Sequence, residues 1–371
     1  TSRAAIGQNR DGGDSVTDPG RRNNTSALLN WVNTSGSADR GILDMVSFAA
    51  DTVNTTWDTT PTSAGYIGTA LMKFDNVDLT TIIPTSSGVT ISPGFDIDGA
   101  IITSANGADS SNNANASWGF VTNTDSLRQC CYFNGSEDGE AAGHPNAYMS
   151  DSRCGGQVTA TALHYHVTAS FPATNQITLT TSIAAPGDEF HVMCFNVGSG
   201  EVWCGTVDSP TATGEHTFSE PGITPLYSWL IATGMPENDE LRVDDSRAGS
   251  WAHCMATPND NFSISAADEQ GSGTTDTQTY VSTNAIEKPA DDGSTDHVAT
   301  FLRMSRFGPS FDFTSTNASV LRWPLLVIGV NPTPVNMRTM RASKFGLSQL
   351  NPAAHARNIR EAWAKLDESV R

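Results

Sequence analysis

One order of landmarks occurs twice in this chain, and nothing else in the sequence restricts its fold as strongly. The first series begins at Ser92-Pro93-Gly94-Phe95, passes the apolar run Ala100-Ile101-Ile102 and reaches Ser117-Trp118-Gly119-Phe120. It continues through Cys131-Tyr132-Phe133 and the acidic Glu137-Asp138-Gly139 to Val192-Met193-Cys194-Phe195-Asn196-Val197-Gly198. The second begins at Glu220-Pro221-Gly222-Ile223 and passes Ser228-Trp229-Leu230-Ile231, Ser250-Trp251-Ala252-His253 and Asp268-Glu269-Gln270-Gly271. It closes on Pro324-Leu325-Leu326-Val327-Ile328-Gly329-Val330. Matched points stay between 128 residues apart (Pro93 to Pro221) and 133 apart (Trp118 to Trp251). Such regular spacing implies a duplicated domain, and a length of 371 residues accommodates two copies with dissimilar ends.

The segments inside each copy are short and apolar, spaced by Gly, Asn, Asp and Pro, with no helical periodicity among them. Thr, Val and aromatic residues suit a pleated surface better than a helix. The sequence therefore predicts an all-β protein: two tandem antiparallel β-sandwich, jelly-roll-like domains from an internal duplication. The expected boundaries are 1–60 for an N-terminal docking arm, 61–206 for the first sandwich, 207–335 for the second and 336–371 for a basic linker and short C-terminal helix. In the arm, residues 26–32 could form two helical turns that bury Leu28, Leu29, Trp31 and Val32 on a neighbour or on the chain's own body. At the other end, Asn351-Pro352 supplies a cap for a helix over 353–370, with Ile359, Ala362, Trp363 and Leu366 on one face. Arg338 and Arg341 lie in the most basic stretch just before it. These ends, unlike the body, are read as assembly contacts, carried by Leu28, Leu29, Trp31, Val32, Arg338, Arg341, Trp363 and Leu366.

Charge narrows the partners. Acidic residues number 40 against 21 basic ones, for a net charge of −19. That surface repels a phosphate backbone, so no nucleic-acid partner is expected. No run of 18 apolar residues occurs, so no spanning helix and no membrane partner are expected either. The start Thr1-Ser2-Arg3 lacks the basic-then-apolar order of a secretory signal. Six cysteines do not make a disulfide scaffold. Cys194 and Cys204 flank Gly198-Ser199-Gly200 and would face each other across a hairpin over 188–206, where two buried thiols are favoured over a bond.

The residues that could carry chemistry are few. On a strand, His164 and His166 would project from one face about 7 Å apart, and a third metal ligand such as Cys154, Asp151 or His191 would have to converge on them. Polar strand surface is the preferred reading, so no metal and no cofactor are expected. Two oxygen-rich stretches, Asp291-Asp292-Gly293-Ser294-Thr295-Asp296 and Glu237-Asn238-Asp239-Glu240, lack the ligand spacing of a calcium loop and read as solvated turns. No nucleophile motif of the Gly-x-Ser-x-Gly kind occurs, and the copies share no polar triad. No catalytic residues are assigned. Trp118 and Trp251, at equivalent places, are either core residues or, if exposed, an aromatic platform for sugar rings.

The order of motifs resembles a β-rich module frequent in bacteriophage and prophage structural proteins. In that module a Gly-Phe-x-Pro-x-Ala turn precedes an apolar strand, a Gly-Phe strand, an acidic Ser-x-Glu-Asp-Gly-like loop and a Phe-Asp-x-x-Gly-Phe-Thr-Leu hairpin. It ends in a Tyr-x-Ala-Leu-Gly-Gly strand. This chain has Gly94-Phe95-Asp96-Ile97-Asp98-Gly99-Ala100, Trp118-Gly119-Phe120, Ser136-Glu137-Asp138-Gly139, Gln176-Ile177-Thr178-Leu179 and Phe195-Asn196-Val197-Gly198. The second copy departs further, with Gly222-Ile223-Thr224-Pro225, Trp251-Ala252-His253, Ser310-Phe311-Asp312-Phe313 and Val327-Ile328-Gly329. The likeness spans roughly residues 65–335 and lacks the final Gly-Gly of each copy. It implies a non-enzymatic virion part made in the host cytoplasm: a capsid decoration protein, a head spike or fibre, or a tail-associated fibre. Partners would be other virion proteins and copies of the same chain, with closed homo-oligomers the usual arrangement. The alternatives are a glycan-binding adhesin at a fibre tip, contacting a host surface glycan, and a polysaccharide-cleaving enzyme.

Overall fold

The computed structural model describes residues 5–9, 20–24, 29–32, 39–48, 53–59, 72, 74–105, 114–123, 126–136, 145–158, 162–184, 187–243, 245–269, 277–290 and 292–330. The N-terminal segment forms β1 (Ala5–Asn9) paired with β2 (Gly20–Asn24), and a sheet of β3 (Leu29–Val32), β4 (Asp39–Phe48) and β5 (Val53–Thr59). Next come β6 (Asn76–Ile82), β7 (Val89–Ile91), β8 (Gly99–Ala105), β9 (Ala114–Thr122) and β10 (Arg128–Ser136). The first half ends with β11 (Pro145–Ser150), β12 (Gly155–Val158), β13 (Leu163–Ala173), β14 (Gln176–Thr181) and β15 (Phe190–Asn196). The second half opens with β16 (Glu201–Asp208), β17 (Gly214–Thr217), β18 (Thr224–Thr233) and the short β19 (Glu240–Arg242). After a 3-10 turn at Ser246–Ala248 come β20 (Ser250–Ala256), β21 (Asn261–Asp268), β22 (Thr277–Ser282) and β23 (Ile286–Pro289). The half ends with β24 (Thr295–Met304), β25 (Pro309–Ser315) and β26 (Arg322–Val330).

Each half pairs a large sheet with a four-stranded one, all antiparallel. In the first, the large sheet runs β19-β11-β10-β9-β8-β15-β6 and the small one β12-β13-β14-β7. In the second, the large sheet runs β16-β26-β18-β20-β21-β22 and the small one β17-β25-β24-β23. When the strands of each half are counted in chain order with β19 set aside, both large sheets read first, tenth, third, fourth, fifth, sixth. Both small sheets contain the second, ninth, eighth and seventh strands in that order. Trp118 lies on the fourth strand of one half and Trp251 on the fourth of the other.

Two-residue alternation explains how four layers stack. On β26, Trp323, Leu325 and Val327 pack with Phe311 and Phe313 of the small sheet, while Leu326 and Ile328 point the other way. On β8, Ala100 and Ile102 pack with Tyr165 and Val167 of the first small sheet, while Ile101 points away from it. The residues pointing away share a third core, where Phe120, Tyr132 and Met149 of one large sheet meet Ile231, Trp251 and Leu326 of the other. The two large sheets thus lie back to back, covered on both faces, and the small sheets form the outer layers. Double coverage is why the large-sheet strands read as continuous apolar runs, as in Leu325-Leu326-Val327-Ile328.

Several expectations are corrected here. The hairpin over 188–206 does not form: β15 pairs with β6 and β8 in one large sheet, and β16 pairs with β26 in the other. The turn at 197–200 carries the chain from one layer to the next, because β15 buries Phe190, Val192 and Cys194 against the small sheet of the first half while β16 buries Trp203 and Val207 against that of the second. Cys194 and Cys204 therefore sit in different cores, and all six cysteines are free and buried. In the first half, β12 and β13 pair with each other in the small sheet. In the arm, 29–32 is strand rather than helix, with Leu29 opposite Leu43 and Trp31 opposite Gly41. Trp and Val accept the extended backbone once a partner strand supplies hydrogen bonds. The backbone of the β1–β2 pair passes beside β8 and β9, on the chain's own body. Leu28, Arg338, Arg341, Trp363, Leu366 and the helix over 353–370 lie outside the described residues.

Phe120, wholly buried between the large sheets and edge-on to Trp229 at 5.3 Å, tests this arrangement. Phe120→Ala is expected to cost about 3–5 kcal/mol, and circular dichroism and tryptophan fluorescence in urea should report one shared transition for both halves.

Candidate functional site

At one end of the second half, chain segments far apart in sequence bring an amine, a carboxylate and an amide together. Ile286 of β23 belongs to the core, so alternation places Lys288 on the same inward face. A bulge between Lys288 and Pro289 ends the regular pairing there. Lys288 is only 2% exposed and its Nζ donates to Ser250 Oγ (2.9 Å), Pro289 O (3.0 Å) and Asp296 Oδ2 (2.7 Å). An ammonium has three protons, and these three acceptors match them.

Asp296, at the start of β24, uses its second oxygen as well: Oδ1 accepts from Asn317 Nδ2 at 2.9 Å. Ser315 Oγ donates to its main-chain oxygen. Asn317 is positioned in turn, because its Oδ1 accepts from Ser319 N (2.8 Å) and its own N donates to His297 Nε2 (3.3 Å). An Nε2 that accepts leaves the imidazole proton on Nδ1, which lies 3.4 Å from Asp296 Oδ2 without completing a hydrogen bond. The His297 ring meets Trp323 edge-on at 4.9 Å, closing the apolar side of the cluster. Burial opposes the charged carboxylate of Asp296, but the approach of His297 and the ammonium of Lys288 outweigh it and hold Asp296 well below the usual carboxylate range.

This cluster forms the floor of a cleft of about 240 Å³, lined also by Gly234, Pro236, Arg247 and Ser319. Gly234 has no room for a side chain, because a Cβ there would collide with the carbonyl of Arg247 in the 3-10 turn. Asp245 caps that turn, accepting from Arg247 N at 2.8 Å.

The residues singled out from sequence lie elsewhere. Trp118 and Trp251 face each other at 6.4 Å between the two large sheets. Trp118 is half-buried, stacked on Tyr132 and edge-on to His253 at 4.7 Å, and Trp251 is 7% exposed. Both rings pack against aromatic neighbours between the layers, and neither has the exposure that the sugar-platform reading requires. His164 is exposed and His166 half-buried on β13. The candidate third ligands are engaged elsewhere: Cys154 Sγ donates to Val167 O, Asp151 accepts from Asn238 Nδ2, and His191 Nδ1 meets Thr81 Oγ1 at 3.0 Å. Among the described residues no three His, Cys, Asp or Glu side chains converge as metal ligands would.

Of the two oxygen-rich stretches read as solvated turns, one sends an aspartate inward and the other keeps its aspartate exposed. Asp296 goes to Lys288, and Asp239, at a φ of 56°, accepts from Tyr148 Oη at 3.2 Å, from Ser150 Oγ and from Ser152 Oγ at 3.2 Å. Asp239 thereby ties β19 of the second half to β11 of the first, where Tyr148 pairs with Leu241. Burial and the adjacent Asp239 push the Tyr148 phenol up to about 12. The one sequence signal for the Lys288 cluster was a lysine on the apolar face of Ile286-Glu287-Lys288-Pro289.

Comparison of the chain with protein-family models, with curated proteins and with solved structures found no match.

Lys288→Met should destabilise the chain by about 3–5 kcal/mol, because Asp296 stays behind without its counter-charge. Adding Asp296→Leu should recover a large part, and equilibrium urea denaturation reads both. A separate pH effect comes from His191 and His253, which burial lowers from 6.5 to about 4. His253 Nδ1 accepts from Trp229 Nε1, and its Nε2 is enclosed without a partner. Between pH 6.5 and 4 the unfolded chain binds these protons and the folded chain does not, so stability is full above that window and falls as pH drops through it. At about 1.4 kcal/mol per pH unit the loss approaches roughly 3 kcal/mol for each histidine, and melting temperatures taken across this range should show it.

Proposed function

We propose that the chain is a non-enzymatic structural component of a phage-like virion, a capsid decoration, head spike or fibre, or tail-associated protein. Its body is two jelly-roll-like sandwiches derived from one duplicated module. The observation that carries this reading is the back-to-back burial of the two large sheets around Phe120, Tyr132, Ile231 and Leu326. It makes two halves of equal strand order into one stiff four-layer body, the kind of unit that bears load or covers a surface. The identical order of ten strands in each half supports the duplication, as do the landmark residues that fall on corresponding strands. The strand of the second half that joins the sheet of the first, held by Asp239, fixes the halves further. A scaffold is favoured over a sugar-binding tip because the paired tryptophans are used between the layers. Partners on this reading are other virion proteins and copies of the chain itself.

An antibody against the chain should label particles pelleted from cells that make it, and mass spectrometry should find many copies per particle. Recovery of the chain solely from the particle-free fraction would overturn the proposal.

A further inference from the structure

The arrangement around Asp296 is more specific than charge neutralisation requires. A buried lysine needs one counter-charge and acceptors for its other protons, which Asp296, Ser250 and Pro289 provide. Nothing in that demand calls for an asparagine side chain on the far oxygen of the same carboxylate, 2.9 Å away. Nor does it call for the amide carbonyl of that asparagine to be held by the main-chain N–H of Ser319 at 2.8 Å. Together these place a nucleophilic nitrogen and an electrophilic carbonyl carbon on either side of one proton-carrying group, with a donor aimed at the carbonyl oxygen.

The geometry points to a self-formed amide cross-link between Lys288 Nζ and Asn317 Cγ, with Asp296 carrying the protons. The resting pair is ammonium and carboxylate. Moving one proton along the 2.7 Å hydrogen bond from Nζ to Asp296 gives a neutral amine beside a carboxylic acid. The contacts that hold Asp296 well below the usual carboxylate range make this neutral pair a minor state, and a single reaction per chain needs it only transiently. The amine lone pair then attacks Asn317 Cγ, and the developing negative charge on Oδ1 falls where Ser319 N–H already donates. Asp296 gives its proton to Nδ2, its existing hydrogen-bond partner, and takes one from Nζ as the C–N bond to Nδ2 breaks. One amide bond is exchanged for another. The lysine ammonium and the asparagine amide become a secondary amide and an ammonium ion, so atoms and charge balance with no oxidant or added reagent. A single turnover per chain suffices, so the rate need not be high.

The location gives the bond a purpose. Lys288 is on β23, the edge strand of the outer small sheet, and Asn317 is on the segment that leads from β25 into β26 at the heart of the large sheet. A covalent link between them would staple the edge strand of one layer to a strand of the other. His297 and Trp323 wall the cluster on its apolar side.

Intact-mass spectrometry of the full chain, unfolded after purification, decides the matter. The expected mass is lighter than the sequence by one ammonia, and a protease digest should yield a branched peptide joining Lys288 to Asn317. Asn317→Ala keeps the Lys288–Asp296 ion pair, and with it the fold, and should have the full mass of its own sequence. An unshifted mass in the folded unsubstituted chain would sink the proposal. So would loss of water, which marks a Lys288–Asp296 link, or an ammonia loss that persists in Asn317→Ala.

Discussion

The burial of the two large sheets against each other is the constraint on which the rest of this molecule depends. A sheet in an ordinary sandwich hides one face and wets the other, but here Ile101, Phe120, Tyr132, Ile231, Trp251 and Leu326 occupy the second face of each large sheet. At roughly 25 cal/mol for each Å² of apolar surface taken from water, this layer adds to the stability that the cores inside the halves supply. Neither half could expose such a face alone without presenting a broad apolar patch. The halves are therefore partners by necessity, whatever their origin.

Polar side chains pair locally in two places where chain segments of this body cross, one exposed and one buried. Asp239, in a left-handed backbone conformation, gathers hydroxyls from Tyr148, Ser150 and Ser152 where a strand of one half joins the sheet of the other. Lys288, Asp296 and Asn317 form a chain of charge-assisted hydrogen bonds at the far end of the second half. Left half-paired, the buried Lys288–Asp296 pair would be a liability in a low-dielectric interior. Complete, each locks a crossing point, and in the second case the completed network also has the elements of a reaction.

Much of the fold was legible along the chain. Turn residues and short apolar runs marked most strands of both halves, and the landmark pairs Pro93 with Pro221 and Trp118 with Trp251 fall on corresponding elements. What misled was pairing. Gly198-Ser199-Gly200 looks like a hairpin turn, yet β15 and β16 go to different sheets. Leu29 to Val32 carries helix-compatible residues, yet β4 draws it into a strand. A turn motif fixes the local direction of the chain but not which strand then competes best for its hydrogen bonds.

The candidate site was the least legible part. Asp296 stood in a polar run that composition assigns to solvent, and Lys288 and Asn317 are separated by two strands and their turns. By itself the sequence determined the all-β class, the repeated order of landmarks and the acidic surface, because strand period, turn chemistry and charge are properties of neighbouring residues. Only the tertiary structure decided that the two large sheets face each other, that Trp118 meets Trp251 between them, and that an amine and an amide share one carboxylate. Those outcomes depend on side chains brought together across layers, and sequence spacing carries no record of such distances.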